Sequence, residues 1–307
     1  MIDVVPVNLT QSTSKSLAHP MRFTSFLVVF LTALSLQAAP KKIVLLAGSR
    51  SHGPGEHEFR AGCLLLAHAL ENHPEVQVTV VSNGWPADTS VFSGAAAVVT
   101  YADGGSGHPV IQPDRIKLLD QLASHGVGIG AMHYGVEVPA GEPGFAMLRW
   151  TGGYFEAFWS INPTWTARFN SLPDHPVARG VKPFEIHDEW YYHMRFAPNL
   201  QGVTPILSVI PPKETLNRPN GPHSGNPFVR AAAARGESQH LMWVLERPDG
   251  GRGFGFTGGH YHKNWGDENF RKLVLNAFYW IAKVEIPGSG VASSISAADL
   301  GSNLDVK

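Results

Sequence analysis

The chain has 307 residues, 24 basic against 25 acidic side chains, a formal net charge of −1 and 43% hydrophobic residues. That is enough apolar material for a sizeable core, and a balance too neutral for a nucleic-acid partner, which needs a basic face to neutralise phosphates. The single cysteine, Cys63, excludes an intramolecular disulfide and any cysteine-cluster metal site.

The first segment reads as an export signal. Met21-Arg22 is a short basic start, and the polar residues before it fit a start codon at Met21. Phe26 to Leu36, "FLVVFLTALSL", is an apolar run of signal-core length, too short to span a bilayer, and "QAAP" places cleavage after Ala38. Residues 1–38 are therefore expected to be a leader, and 39–286 one domain in the periplasm or outside the cell, with no membrane span after cleavage. An uncleaved membrane anchor is the alternative.

From Lys41 onward, buried strands alternate with helices. Lys42 to Gly48 is a continuous apolar strand entering the loop "SRSHGPGEHEF"; a helix over Glu58 to Asn72 carries Cys63 into the core. Strands follow at Val76 to Ser82 and Ala95 to Asp103, then a helix from Pro113 to Ser124 and a strand in "GVGIGAMHY". This alternation predicts an α/β fold: a doubly wound, mostly parallel sheet with helices on both faces and its functional loops at the strands' carboxyl ends.

The second half reads as insertions into that sheet. Its candidate strands are Thr164 to Phe169, Thr204 to Ile210, Gln239 to Leu245 and Gly253 to Thr257. Pro211 to Gly236 is rich in proline and glycine and reads as a long loop, a lid or an oligomer contact. Apolar residues at helical spacing over Asp267 to Val284 predict a closing helix with one face on the sheet. Residues 287–307 are rich in serine, alanine and glycine and are expected to be a disordered tail.

Histidines collect where strands should end. His52 and His57 follow the first strand, His108 the third, His133 the fourth; His187, Asp188, Glu189 and His193 share "EIHDEWYYH", and His260 and His262 follow a strand and a glycine pair. Imidazoles and carboxylates are the usual ligands of zinc and related divalent ions, although no HExxH helix occurs. His68, His73 and His125 read as surface residues and His175 as part of a turn. The turn after "VGIGAM" is where many α/β enzymes mount a nucleophilic serine or cysteine; here it holds His133, and no GxSxG or Walker pattern appears anywhere. Aromatic residues, among them Trp190, Tyr191 and Tyr261, flank the polar motifs. They suit either a sugar pocket, whose rings face the C–H side of a pyranose, or plain core packing.

"KIVLLAG", "GVGIGAMHYG", "DHPVARGVKPFEIHDEWYY" and "GRGFGFTGGHYHKNWGDENFRKLVLNAFYWIA" occur in this order. Over Lys41 to Lys283 the chain thereby resembles the ThuA-like, trehalose-utilisation-type proteins of the class I glutamine-amidotransferase-like superfamily. The resemblance implies a flavodoxin-like sheet from which the amidotransferase cysteine has been lost, with His133 beside the old nucleophile turn. It also implies a role in sugar catabolism, a functional link to oxidoreductases that make 3-keto-glycosides, and a divalent metal ion, zinc or similar. Matched to the family's polar positions, His57, His133, Glu189 and His260 are the implied metal ligands, with His52 as the alternative to His57. His133 or Glu189 is the implied base, and Trp190, Tyr191, Tyr261 and His262 are candidates for substrate contact.

Two functions compete on these grounds. One is a secreted, metal-assisted enzyme acting on glycosides or 3-keto-glycosides by elimination, hydrolysis or isomerisation. The other is a non-catalytic carbohydrate-binding protein on the same scaffold. Under either, His57, His133, Glu189 and His260 should converge on one pocket with Trp190 or Tyr191 on its wall.

Overall fold

A computed structural model describes residues 39–307, so the expected leader, the Met21 start and the Ala38 cleavage point lie outside the described residues. The chain runs β1 (Lys41–Ala47), α1 (Phe59–Ala69), β2 (Val76–Val81), β3 (Ala95–Tyr101), α2 (Pro113–Ser124) and β4 (Gly128–Met132). It continues through α3 (Glu142–Trp150), β5 (Gly153–Tyr154), β6 (Thr164–Phe169), β7 (Phe184–Glu189), β8 (Arg195–Phe196), β9 (Val203–Val209) and α4 (Pro227–Ala234). β10 (Gln239–Glu246), β11 (Arg252–Phe256), α5 (Glu268–Ile281) and α6 (Ala297–Leu300) complete it.

Seven strands form the main sheet in the order β2-β1-β3-β4-β11-β10-β9. The first five pair in parallel, and β10 and β9 add an antiparallel edge. A 2-1-3-4-5 order is that of a flavodoxin-like sheet. Here the fifth position is filled by β11, so everything from α3 to β10 is inserted between the fourth and fifth parallel strands. The insertion also carries two small antiparallel pairs, β5 with β8 and β6 with β7. Thr164–Phe169 is thus a strand, as its pattern predicts, but of a separate ribbon.

Alternation along β1 shows how the sheet is covered. Ile43, Leu45 and Ala47 enter one core with α1 and α5, while Val44 and Leu46 enter the other with α2 and α3. The glycines of β4 have a packing cause: a Cβ on Gly128 would lie 2.3 Å from the Ile281 carbonyl, and one on Gly130 would lie 2.2 Å from the Phe254 ring.

The closing helix packs on β3, β4 and β11 as expected and is enclosed on its other side as well, while two other expectations are corrected. Every residue of α5 from Phe270 to Ile281 is buried, including Arg271, Lys272 and Asn276. The helix is covered on its outer side by the 175–181 segment and by the tail read as disordered. Asn276 donates to the carbonyls of Val177 and Arg179 and accepts from Val291 N–H. Residues 287–307 accordingly hold buried Val291, the short helix α6 and a pinned terminus: Asp305 N–H donates to Glu58, and the Lys307 ammonium pairs with the same carboxylate at 3.3 Å. A few apolar anchors and long-range polar bonds outweigh small-residue composition. The Pro211 to Gly236 segment is likewise folded. It contains α4, capped by Asn226, and Arg230 ties it internally through the carbonyls of Leu216 and Arg218. Among the described residues no helix is long and apolar enough to cross a membrane.

Candidate metal centre

His133, Glu189 and His260 are delivered by strand ends, and His57 by the long loop between β1 and α1. Register places Met132 opposite Phe256, so the residues just beyond them, His133 and Thr257, are neighbours. His133 Nδ1 lies 3.0 Å from the Thr257 carbonyl. His133 opens a short 3-10 turn with φ of 49°, a left-handed conformation in which histidine is over-represented among non-glycine residues. His57, in the loop after β1, has φ of 46° and hydrogen-bonds through its backbone N–H to the His260 carbonyl. Glu189 ends β7, and His260 follows β11 after Gly259, whose φ of 110° turns the chain.

Asp188 holds this last loop in place. It is fully buried and accepts from the backbone N–H groups of Glu189, Gly259 and His260 at 2.7, 2.8 and 3.0 Å, and from the Asn264 amide at 3.0 Å. Burial pushes its carboxyl above the ordinary value, against the pull of those donors.

The four expected ligands converge. One donor atom from each of His57, His133, Glu189 and His260 falls within a group spanning no more than 4.8 Å. His57 Nε2 lies 3.0 Å from both His133 Nε2 and His260 Nδ1. Glu189 Oε2 lies 3.3 Å from His260 Nδ1 and 3.7 Å from His133 Nε2.

Tautomers follow from the outer partners. His57 Nδ1 faces Asp103 Oδ1 at 3.1 Å and His133 Nδ1 faces the Thr257 carbonyl, so both rings carry hydrogen on Nδ1 and turn bare Nε2 lone pairs toward each other. Burial drives both imidazoles toward the neutral form: His57 is pushed down to about 2 and His133 well below its ordinary value. Burial also pulls His260 down, but the hydrogen bond and charge of Glu189, with Asp188 and Glu56, prevail and hold it above that value.

This donor set fits a divalent cation. Tetrahedral bonds of about 2.05 Å would put ligand atoms about 3.3 Å apart, close to the spacings here. Three neutral imidazoles and a carboxylate form a group able to hold a metal ion, each histidine oriented through an outer acceptor or the packed backbone.

The remaining sequence candidates separate. Tyr191 lines the pocket, its hydroxyl 3.3 Å from His133 Nε2. Trp190 does not: it is 0% exposed, its indole donates to the Ile186 carbonyl, and its ring packs on Phe169, Phe256 and Phe270 in the core. The two lie just past the end of β7, where the chain turns one ring into the core and the other into the pocket. Tyr261 sets its ring edge-on to His260 at 4.6 Å, but it and His262 line a different cavity, shared with Leu300 and Leu304. His262 there donates to the Leu300 carbonyl. His52 lies over the His57 ring at 3.6 Å, partly exposed at the rim, so His57 is the member of the cluster.

Three pocket residues were not legible as such: Tyr134, Asn162 and His223. Tyr134 had a signal in its place directly after His133. Asn162 and His223 lie in inserted segments whose approach to the strand ends no local pattern encodes. His223 Nε2 lies 2.9 Å from the buried Glu137 carboxylate, and its ring stacks on Phe155. The cavity these groups enclose is about 120 Å³.

Comparison with known proteins agrees with this architecture. The sequence profile of the family described as "ThuA: Trehalose utilisation" matches residues 44–281. Among solved structures, the chain is similar to a ThuA-like protein of Bacteroides uniformis ATCC 8492, at 15% identity and a TM-score of 0.57, over 80% of this chain and 93% of that one. A ThuA-like protein of Parabacteroides merdae ATCC 43184 gives 18% identity and a TM-score of 0.53, over 84% and 94%. No curated protein matches the chain. These two likenesses concern the fold, whereas the profile spans most of the chain together with the strand-end motifs that carry the four clustered residues. The chain belongs to the ThuA, trehalose-utilisation family, and through it to proteins with a sugar-related role.

Proposed function

We propose that this protein is an exported, metal-assisted enzyme of sugar catabolism acting on glycosides or 3-keto-glycosides. The observation that carries the reading is the meeting of His57 and His133 through bare Nε2 atoms 3.0 Å apart, with His260 Nδ1 and Glu189 Oε2 completing the ring of donors. Buried lone pairs facing one another are unfavourable unless a cation or proton lies among them. A divalent ion held by such a set supplies Lewis acidity toward a carbonyl oxygen.

A 3-keto sugar suits that chemistry, because its ketone acidifies the neighbouring C2 proton and a base can then eliminate the group on C1. Hydrolysis or isomerisation would draw on the same residues. Of the two bases considered, His133 has both nitrogens engaged, which leaves the second carboxylate oxygen of Glu189 as the freer acceptor. The small, polar cavity takes the reacting end of a substrate rather than a whole disaccharide. An oxidoreductase acting on the C3 hydroxyl would supply the keto substrate.

The alternative, a non-catalytic carbohydrate binder, keeps Tyr191 on the pocket wall but gives no role to the buried cluster of donor atoms, and so draws less support. The deciding experiment combines metal analysis with turnover of 4-nitrophenyl glucoside and its 3-keto derivative, with and without EDTA. Stoichiometric metal and EDTA-sensitive release of nitrophenol are expected. Metal-free protein with no turnover of either compound would sink the proposal. Export is tested separately, by N-terminal sequencing of protein recovered outside the cytoplasm, which should begin near Ala39.

A further inference from the structure

One wall of the cavity is supplied by none of the four ligands. His223 reaches it from the inserted 211–236 segment, which is fastened on both sides of the residue: Phe158 N–H donates to the Pro222 carbonyl at 2.8 Å and Asn162 N–H to the His223 carbonyl at 3.0 Å. The ring is fixed as well, stacked on Phe155 with centroids 5.5 Å apart and planes at 23°. Its Nε2 meets Glu137 Oε1 at 2.9 Å, and the Glu137 side chain is only 7% exposed.

A buried carboxylate on Nε2 selects the tautomer with hydrogen there and leaves Nδ1 as a lone pair. That atom has no protein hydrogen-bond partner among the described residues, and the side chain is 34% exposed. No other histidine of the pocket combines these properties. His57 and His133 have both nitrogens engaged, His260 sits among the ligands, and His52 shares its Nδ1 with Ser51. A base must be free of the metal and held in place beside the substrate, and His223 is an oriented imidazole lining the same cavity as Glu189 and His260.

We propose that His223 is the proton-transfer residue of this site, with Nδ1 as the reacting atom and Glu137 as its positioning residue. The assignment rests on the keto-glycoside reading above and replaces His133 and Glu189 as the base. In an elimination, Nδ1 takes the proton from C2 and the C2–H electron pair becomes the C1–C2 double bond. The bond from C1 to the departing oxygen breaks, and the proton held on Nδ1 passes to that oxygen. An unsaturated 3-keto sugar and an alcohol result, with no oxidant or reductant consumed. The Glu137 hydrogen bond holds the imidazole above its ordinary value against burial, with Glu189 adding to that effect and Arg218 opposing it.

The test uses zinc-loaded full-length protein and 4-nitrophenyl 3-keto-β-glucoside, reading nitrophenol release, deuterium uptake at C2 from D2O and bound zinc. His223→Gln should lose about 100-fold or more in kcat and in C2 exchange while keeping its zinc. Glu137→Gln should lose less and move the pH profile of kcat. A His223→Gln enzyme within about threefold of the parent would overturn the assignment and leave the keto-glycoside reading standing. Loss of zinc along with activity would assign His223 a structural role instead. If the parent enzyme binds zinc yet neither exchanges C2 nor releases nitrophenol, the reading and the assignment fail together. A measurement independent of turnover is the nitrogen NMR of His223 in the parent protein: hydrogen on Nε2 is expected, and hydrogen on Nδ1 would overturn the proposal.

Discussion

His57 and His133 stand 76 residues apart in sequence, yet their Nε2 atoms meet at 3.0 Å, and the tautomers argued from their Nδ1 partners leave both of these atoms as lone pairs. Asp103 and the Thr257 carbonyl enforce this by taking the Nδ1 hydrogens. Without a cation, a proton on His260 Nδ1 is the group that relieves the arrangement, donating to His57 and Glu189 together. Metal and proton therefore compete for one place.

That competition sets the pH dependence of metal binding. While His260 is protonated, zinc must displace about one proton, so affinity should rise about tenfold per pH unit and level off above the raised His260 value. Calorimetry in buffers of different ionisation enthalpy counts the protons released. Zinc at about 100 times its Kd should stabilise the protein by about 2.7 kcal/mol, and His260→Ala should abolish the shift. A zinc isotherm independent of pH would refute this linkage.

Asp188 touches no expected ligand donor atom but fixes the backbone of two ligand residues, Glu189 and His260. Asp188→Asn keeps its size and replaces one acceptor oxygen with a donor facing N–H groups. Zinc affinity should fall about 10- to 100-fold, the usual cost of disturbing an outer partner of a metal site. Equilibrium dialysis against a competing chelator measures it, and unchanged affinity would show that the His260 loop is held by packing alone.

His108 gives a pH effect on folding separate from the metal. It is buried, its Nε2 donating to the Gly135 carbonyl and its Nδ1 accepting from Val110 N–H, and burial pushes it down to about 4. Protonation would remove the acceptor that Val110 N–H uses. The unfolded chain takes up this proton near the ordinary value of about 6.5, so the contribution is complete above that pH and is lost as pH falls from about 6.5 to about 4. Its scale is about 3 kcal/mol. Urea titrations of parent and His108→Gln protein should diverge in slope across that window; parallel curves would contradict the assignment.

The Lys307 side chain is only 3% exposed, pairing with Glu58 and donating to the carbonyls of Gly53 and Glu56 in the loop that bears His57. Lys307→Met leaves Glu58 buried with two backbone donors, Gly55 and Asp305. Stability should drop by about 3 kcal/mol, the lower end for breaking a buried pair. Hydrogen exchange should quicken in residues 53–58 before the sheet. Parent-like melting and exchange would mean the tail is not a fastening.

The parts of the fold that were legible in the sequence are those whose signal is local. Continuous apolar runs marked β1, β3 and β4 as strands buried on both faces, and Pro113 to Ser124 marked α2, because each needs only its own periodicity. The clustered histidines were legible for a related reason. A parallel sheet brings its strand ends to one edge, so strand positions put His57, His133 and His260 on one side of the molecule, and the family resemblance singled them out, with Glu189, from the other histidines and carboxylates of those loops.

What the sequence determined by itself, then, is the set of buried strands, their carboxyl-edge loops and the imidazoles and carboxylate those loops carry. Tertiary structure alone decided which side chains face the pocket and which face the core. Trp190 and Tyr191 differ by one position and point opposite ways, and His262 turns to the tail rather than to the ligands. It also decided that Ser- and Gly-rich residues 287–307 would cover α5, and that His223 would reach Glu137 across 86 residues. Such contacts are set by packing between segments distant in sequence, and no local period or composition encodes them.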